Sequence, residues 1–150
     1  MTERAKLVGI NHVAIEVEDI DAALEFYGSI FEFELRGRTD SMVFLDMGDQ
    51  FIAVAETADA GANSDDHRHF GLVVDDPSLV EERLEAVDAD RLDTSGLDFR
   101  DPWGNRIQVI AYEEIQFSKI DAVLEAMGMA DLEKSASARA ELAEKGIELE

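Results

Sequence analysis

The sequence predicts an α+β fold in which two βαβββ modules are followed by C-terminal helices. Three observations carry that prediction. First, the phrase His12-Val-Ala-Ile-Glu-Val-Glu-Asp19 returns 57 residues later as His69-Phe-Gly-Leu-Val-Val-Asp-Asp76. Fixed-distance self-similarity marks a repeated structural unit. Second, each copy alternates apolar and other residues, as a half-buried strand does, and ends in acids suited to cap a helix. Third, each copy is followed by a helical stripe and then by three short strand-like stretches.

In the first module, about residues 8–56, Val13, Ile15 and Val17 form the apolar side of the opening strand. Asp19 to Asp21 supply candidate N-caps. Ala22, Ala23, Phe26, Tyr27 and Ile30 then recur at helical spacing and define one packed face. Strands are expected around Glu32–Arg36, Met42–Asp46 and Gln50–Ala55, separated by Gly37 and by the turn Met47-Gly-Asp49. Residues 57–66, rich in Ala, Gly, Asn, Ser and Asp, read as a linker.

The second module, about 67–112, repeats the order. Asp76 caps, Pro77 takes a first-turn position, and Leu79, Val80, Leu84 and Val87 continue as a helix. Strands are expected near Arg91–Thr94, Leu97–Arg100 and Arg106–Tyr112, the last opened by the turn Asp101-Pro-Trp-Gly-Asn105. A C-terminal helical extension spans about 117–146. Its first helix, 118–128, carries the stripe Ile120, Val123, Leu124 and Met127 before Gly128, and its second runs over 135–145. The extension carries no chemical motif; its stripe is expected to pack on the sheet or on a second subunit.

Composition bounds the function. At 150 residues the chain is one ordinary domain, and 46% hydrophobic residues supply a sizeable core. There is no Cys, hence no disulfide, thiolate zinc site or Cys nucleophile. No apolar run approaches the roughly 20 residues of a membrane span, and Met1–Lys6 does not lead into a signal peptide. Thirteen basic against 35 acidic residues give a net charge of -22, which excludes ordinary binding to a nucleic-acid backbone. The acids are dispersed and lysine is scarce (4, against 9 Arg). Such a coat keeps a protein hydrated in molar salt, so the reading is a halophilic, cytoplasmic protein.

Taken together, the paired His phrases, the stretch Asp19-Ile-Asp-Ala-Ala-Leu-Glu-Phe-Tyr27 and the turn Asp101-Pro-Trp-Gly-Asn-Arg-Ile107 resemble the vicinal oxygen chelate superfamily. That superfamily includes glyoxalase I, fosfomycin and bleomycin resistance proteins and extradiol dioxygenases. The resemblance covers about residues 8–112. It implies a curled mixed sheet with a cleft, a divalent metal (Fe, Mn, Zn, Ni or Co) held between the modules, a small-molecule ligand and a homodimer.

Carried over position by position, the resemblance makes His12, His69 and Gln108 the metal ligands. The fourth position, in the last strand of the first module, matches Ala53, or Ile52 if the register slips, and neither binds a metal. His, His and an amide resembles a 2-His-1-carboxylate set with its charge removed. Glu16 and Tyr112 follow His12 and Gln108 by four residues and are expected on the cleft face, with Phe44 and Phe51 lining it. Two functions stay open. One is a metal-dependent lyase, isomerase or ring-cleaving dioxygenase acting on a small oxygen-bearing or aromatic molecule. The other is a metal-free cleft that sequesters a compound, as bleomycin resistance proteins do. Trp103 is expected at the cleft rim, and Phe26 and Tyr27 in the core.

Overall fold

A computed structural model describes residues 3–62 and 65–149. Asn63 and Ser64 of the expected linker lie outside the described residues, as do Met1 and Thr2. The first module runs β1 (His12–Val17), α1 (Ile20–Ile30), β2 (Leu35–Arg38), β3 (Met42–Asp46) and β4 (Phe51–Glu56). The second runs β5 (Phe70–Val74), α2 (Pro77–Ala86), β6 (Asp90–Arg91), β7 (Leu97–Arg100) and β8 (Arg106–Ala111). Helices α3 (Asp121–Ala126) and α4 (Ala136–Glu144) follow. Each module is a four-stranded mixed sheet, ordered β1-β4-β3-β2 and β5-β8-β7-β6. Two α+β modules and C-terminal helices are therefore present.

Local chemistry sets the helix starts. Asp19 accepts from the Ala22 N–H and Asp76 from the Ser78 N–H, each satisfying an amide that has no partner inside its helix. Pro77 occupies the first turn, where a missing N–H costs nothing.

The strands fix two faces. Ile15, Val17, Val43 and Val54 of the first sheet and Leu72, Phe99, Ile107 and Val109 of the second belong to one contiguous core. Helix α1 joins the modules there: Phe26 and Phe31 pack against Phe99, with ring centroids 6.2 and 6.1 Å away. Fully burying such side chains is worth roughly 1.5–3 kcal/mol each. Alternation then turns the remaining strand residues away from this core on both sheets.

The turn Asp101–Asn105 is a polar lock within that apolar join. Asp101 is 4% exposed. It accepts from the backbone N–H groups of Trp103 and Asn105, from the Asn105 amide, and from the Tyr27 hydroxyl of α1 at 2.7 Å. Four donors satisfy a buried carboxylate that would otherwise be costly. Burial, and then the neighbouring carboxylate, push the Tyr27 hydroxyl well above its usual pKa, so it stays a donor. Asn105 also donates to the Glu16 carbonyl on β1, 2.9 Å away.

Some element boundaries differ from expectation. Strand β2 runs Leu35–Arg38, so Gly37 lies inside the strand rather than ending it; the register shifts between Leu35 and Gly37, making Arg36 an extra, bulged residue. Strand β6 is two residues long: the Leu92 N–H still donates to the Asp98 carbonyl on β7, but the Thr94 N–H turns back to the Leu92 carbonyl. Strand β8 ends at Ala111, and Tyr112–Glu114 form a 3-10 turn. Helix α3 is six residues, shorter than its stripe: Leu124 is buried, but Ile120 is 69% exposed at the N-cap.

Candidate functional site

The site is built on the outward faces of the two sheets. His12 opens β1 and is exposed; its Nδ1 lies 2.8 Å from the Asn11 side-chain oxygen. His69 sits immediately before β5 and is also exposed; its Nδ1 lies 2.8 Å from the His67 carbonyl. Both neighbours are oxygens that accept, so Nδ1 is the donor in each contact and Nε2 is the nitrogen that contact leaves unused. The two modules thus engage the same imidazole nitrogen by different means. His67 contributes its backbone.

Gln108 lies on β8, half-buried, on the face opposite the buried Ile107 and Val109. Strand β5 pairs with β8 in parallel, with Gly71 opposite Gln108, so His69 and Gln108 are diagonal neighbours on one face. The first module has the same arrangement, with Ala14 opposite Ala53. The position equivalent to Gln108 is therefore Ala53, not Ile52, which belongs to the core. The structure brings His69 and Gln108 together on one sheet and sets His12 on the other. Among the described residues no three His, Asp or Glu side chains converge to hold a metal.

Around His12 the outer face is aromatic. Phe51 stacks on the imidazole, with centroids 4.7 Å apart and planes 7° apart. Phe44 meets Phe51 edge-on at 5.7 Å. Glu16 is exposed on the same face, and its side chain has no hydrogen-bond partner among the described residues. Arg36, which the sequence reading did not select, places its guanidinium 4.6 Å from the Phe51 centroid. The bulge that aims it is not visible in residue types, so only the glycine after it hinted at irregularity. Around Gln108 the face is ionic: the buried Asp98, its cross-strand partner, pairs with Arg106 at 2.8 Å. Sequence reading missed this pair as well, although alternation along β7 and β8 puts Asp98 and Arg106 on the Gln108 face.

Tyr112 corrects an expectation. Alternation carries it to the Gln108 face only if the strand continues, and β8 stops one residue earlier. Tyr112 is 5% exposed; its hydroxyl accepts from the Lys119 N–H, and its ring lies 3.5 Å from the Lys134 ammonium. It anchors the C-terminal extension. Trp103 is half-buried against the core.

A family model described as the glyoxalase/bleomycin resistance protein/dioxygenase superfamily matches residues 9–109. Among solved structures, the chain is similar to the fosfomycin resistance protein FosX from Listeria monocytogenes complexed with Mn(II) and sulfate. That match has 15% identity and a TM-score of 0.60, covering 81% of this chain and 99% of that one. An integron cassette protein from V. cholerae matches at 18% identity and TM-score 0.57, over 73% of this chain and 99% of that one. A glyoxalase/bleomycin resistance protein/dioxygenase from Alicyclobacillus acidocaldarius matches at 18% identity and TM-score 0.54, over 71% and 94%. At these identities the likeness is one of fold.

Proposed function

Since the chain belongs to the glyoxalase/bleomycin resistance protein/dioxygenase superfamily, we propose that it binds a divalent metal between its modules and acts on a small oxygen-bearing or aromatic molecule. The carrying observation is the pair of exposed, repeat-equivalent histidines, each held by an acceptor at Nδ1. Holding the second nitrogen to an oxygen is how ligating histidines are oriented. His12, His69 and the Gln108 amide oxygen would be the ligands. A divalent ion there supplies a Lewis acid that holds two neighbouring oxygens and stabilises charge developing on them. Glu16 would take or return a proton beside His12, and Phe44 and Phe51 would carry the apolar part of the ligand.

Because His12 lies on one sheet and the other two ligands on the other, the complete site would form in a homodimer, where the outer face of one module meets the second module of a partner. Exposed Leu7, Val8 and Ile10, together with the unpaired edges of β1 and β5, support that assembly. The acidic coat supports work in a salt-rich cytoplasm.

The test is titration of chelator-stripped protein with Mn(II), Fe(II), Zn(II), Ni(II) and Co(II). About one ion per chain should bind, and His12→Ala and His69→Ala should each abolish it. Gln108→Glu should tighten binding by about tenfold or more, because it restores the missing charge. Binding that survives both alanine variants would remove the metal from this site. A metal-free sequestering cleft is the second reading, favoured by Ala53 and the neutral Gln108; wild-type protein that binds none of the five ions would establish it.

A further inference from the structure

We propose that the ligand of this cleft is an anion, and that Arg36 is the residue that selects it: a flat or apolar body on Phe51 and Phe44, with a carboxylate or phosphonate on the guanidinium. This rests on the outer face beside His12 being the ligand cleft.

The argument begins with the state of the other arginines. In a chain with 35 acids and 13 bases, cations readily find partners. Arg38, Arg68, Arg91 and Arg106 pair with carboxylates, and Arg83 and Arg100 donate to backbone carbonyls. Arg4, Arg36 and Arg139 have no side-chain ion pair or hydrogen bond among the described residues, and of these three only Arg36 lies over an aromatic ring, that of Phe51. That contact leaves its N–H donors unused. A guanidinium offers a planar fork of donors matched to a two-oxygen anion.

The backbone supports the same conclusion. Arg36 is the extra residue of a β-bulge, a device that re-aims a side chain beside a site. It reaches Phe51 on β4 from the far strand of the sheet, while His12 reaches the same ring from β1. One ring thus separates the predicted metal ligand from an unengaged cation. Among the described residues no carboxylate pairs with it: Asp46 accepts from the Gly48 N–H, and Glu16 lies on β1, at the opposite edge of the sheet. In a molecule of charge -22, this local positive group would decide whether an anion is tolerated in the cleft.

The experiment uses the full chain, stripped of metal by chelator so that a carboxylate cannot report on a metal instead. Phenylacetate, phenylphosphonate and neutral phenylacetamide are titrated by calorimetry or NMR shifts into wild type, Arg36→Gln, Arg36→Lys and, as a charge-matched control on α4, Arg139→Gln. The two anions should bind wild type about tenfold or more tighter than the amide. Arg36→Gln should erase that preference, Arg36→Lys should keep part of it, and Arg139→Gln, which removes the same charge from α4, should keep it. Since no metal is present, the preference is expected even if the metal reading fails. Equal affinity for anion and amide in wild type overturns the proposal. So does an anion preference that survives in Arg36→Gln. A change in self-association by Arg36→Gln, with the anion preference intact, would make Arg36 a subunit contact instead.

Discussion

At the scale of single residues, Lys134 shows how a buried charge is tolerated. It is 7% exposed. Its ammonium donates to the carbonyls of Tyr112 and Phe117 and lies over the Tyr112 ring, and among the described residues it has no ion pair with a carboxylate. Burial lowers its pKa from 10.5 to about 8. Between those values the unfolded chain holds a proton that the folded chain has released, so this residue's contribution to stability rises with pH across that window. Below about pH 8 both states are charged, and the burial penalty is present in full. Lys134→Met has nothing to titrate there. Wild-type Tm should therefore gain on that of Lys134→Met as pH is raised from about 7.5 to about 9.5. A difference that stays constant over that range would show that the ammonium is not desolvated in the fold.

At the scale of elements, the C-terminal extension ties the end of the second module to the first. The Lys119 ammonium donates to the Met47 carbonyl and to Asp49 in the β3–β4 turn, and that bond holds the Asp49 carboxyl below its usual range. Helix α3 lies directly over the same turn. At Gly48, where φ is +83°, an added Cβ would come within 2.6 Å of Met127 Sδ and 2.9 Å of a Val123 methyl. Gly48→Ala would combine a left-handed backbone with that clash and should cost about 1–3 kcal/mol. Denaturant unfolding measures the loss. Hydrogen exchange should place the loosening in α3 and the 46–50 turn, and an unchanged exchange pattern would mean that the extension is not seated there. The bulge in β2 belongs to this scale as well, since one extra residue redirects Arg36 without altering the core.

At the scale of the molecule, net charge opposes compaction. With -22 spread over the chain and a screening length of about 10 Å at 0.1 M salt but about 3 Å at 1 M, repulsion between surface acids fades as salt rises. Tm is expected to climb as KCl goes from about 0.1 M to about 2 M. Equal stability at both concentrations would refute a halophilic design. Exposed Leu7 and Val8, at 103% and 100%, are apolar surface that a second copy could cover. Among the described residues, no helix is long and apolar enough to cross a membrane.

The sequence alone determined the two modules, because period-2 apolar strands, capped helices and a 57-residue repeat are local patterns written in residue types. It also located His12, His69 and Gln108 on outward positions, since alternation fixes which face a strand residue takes once its neighbours are known to be core. What only the tertiary structure decided depends on hydrogen-bond register and on contacts between distant segments. The β1–β4 pairing made Ala53 the counterpart of Gln108. The early end of β8 sent Tyr112 under the extension rather than into the cleft. The bulge set Arg36 against Phe51, and the Tyr27–Asp101 and Asn105–Glu16 bonds joined two modules through one core. Register and bulges follow from summed packing over whole sheets, a quantity that a short window of sequence does not contain.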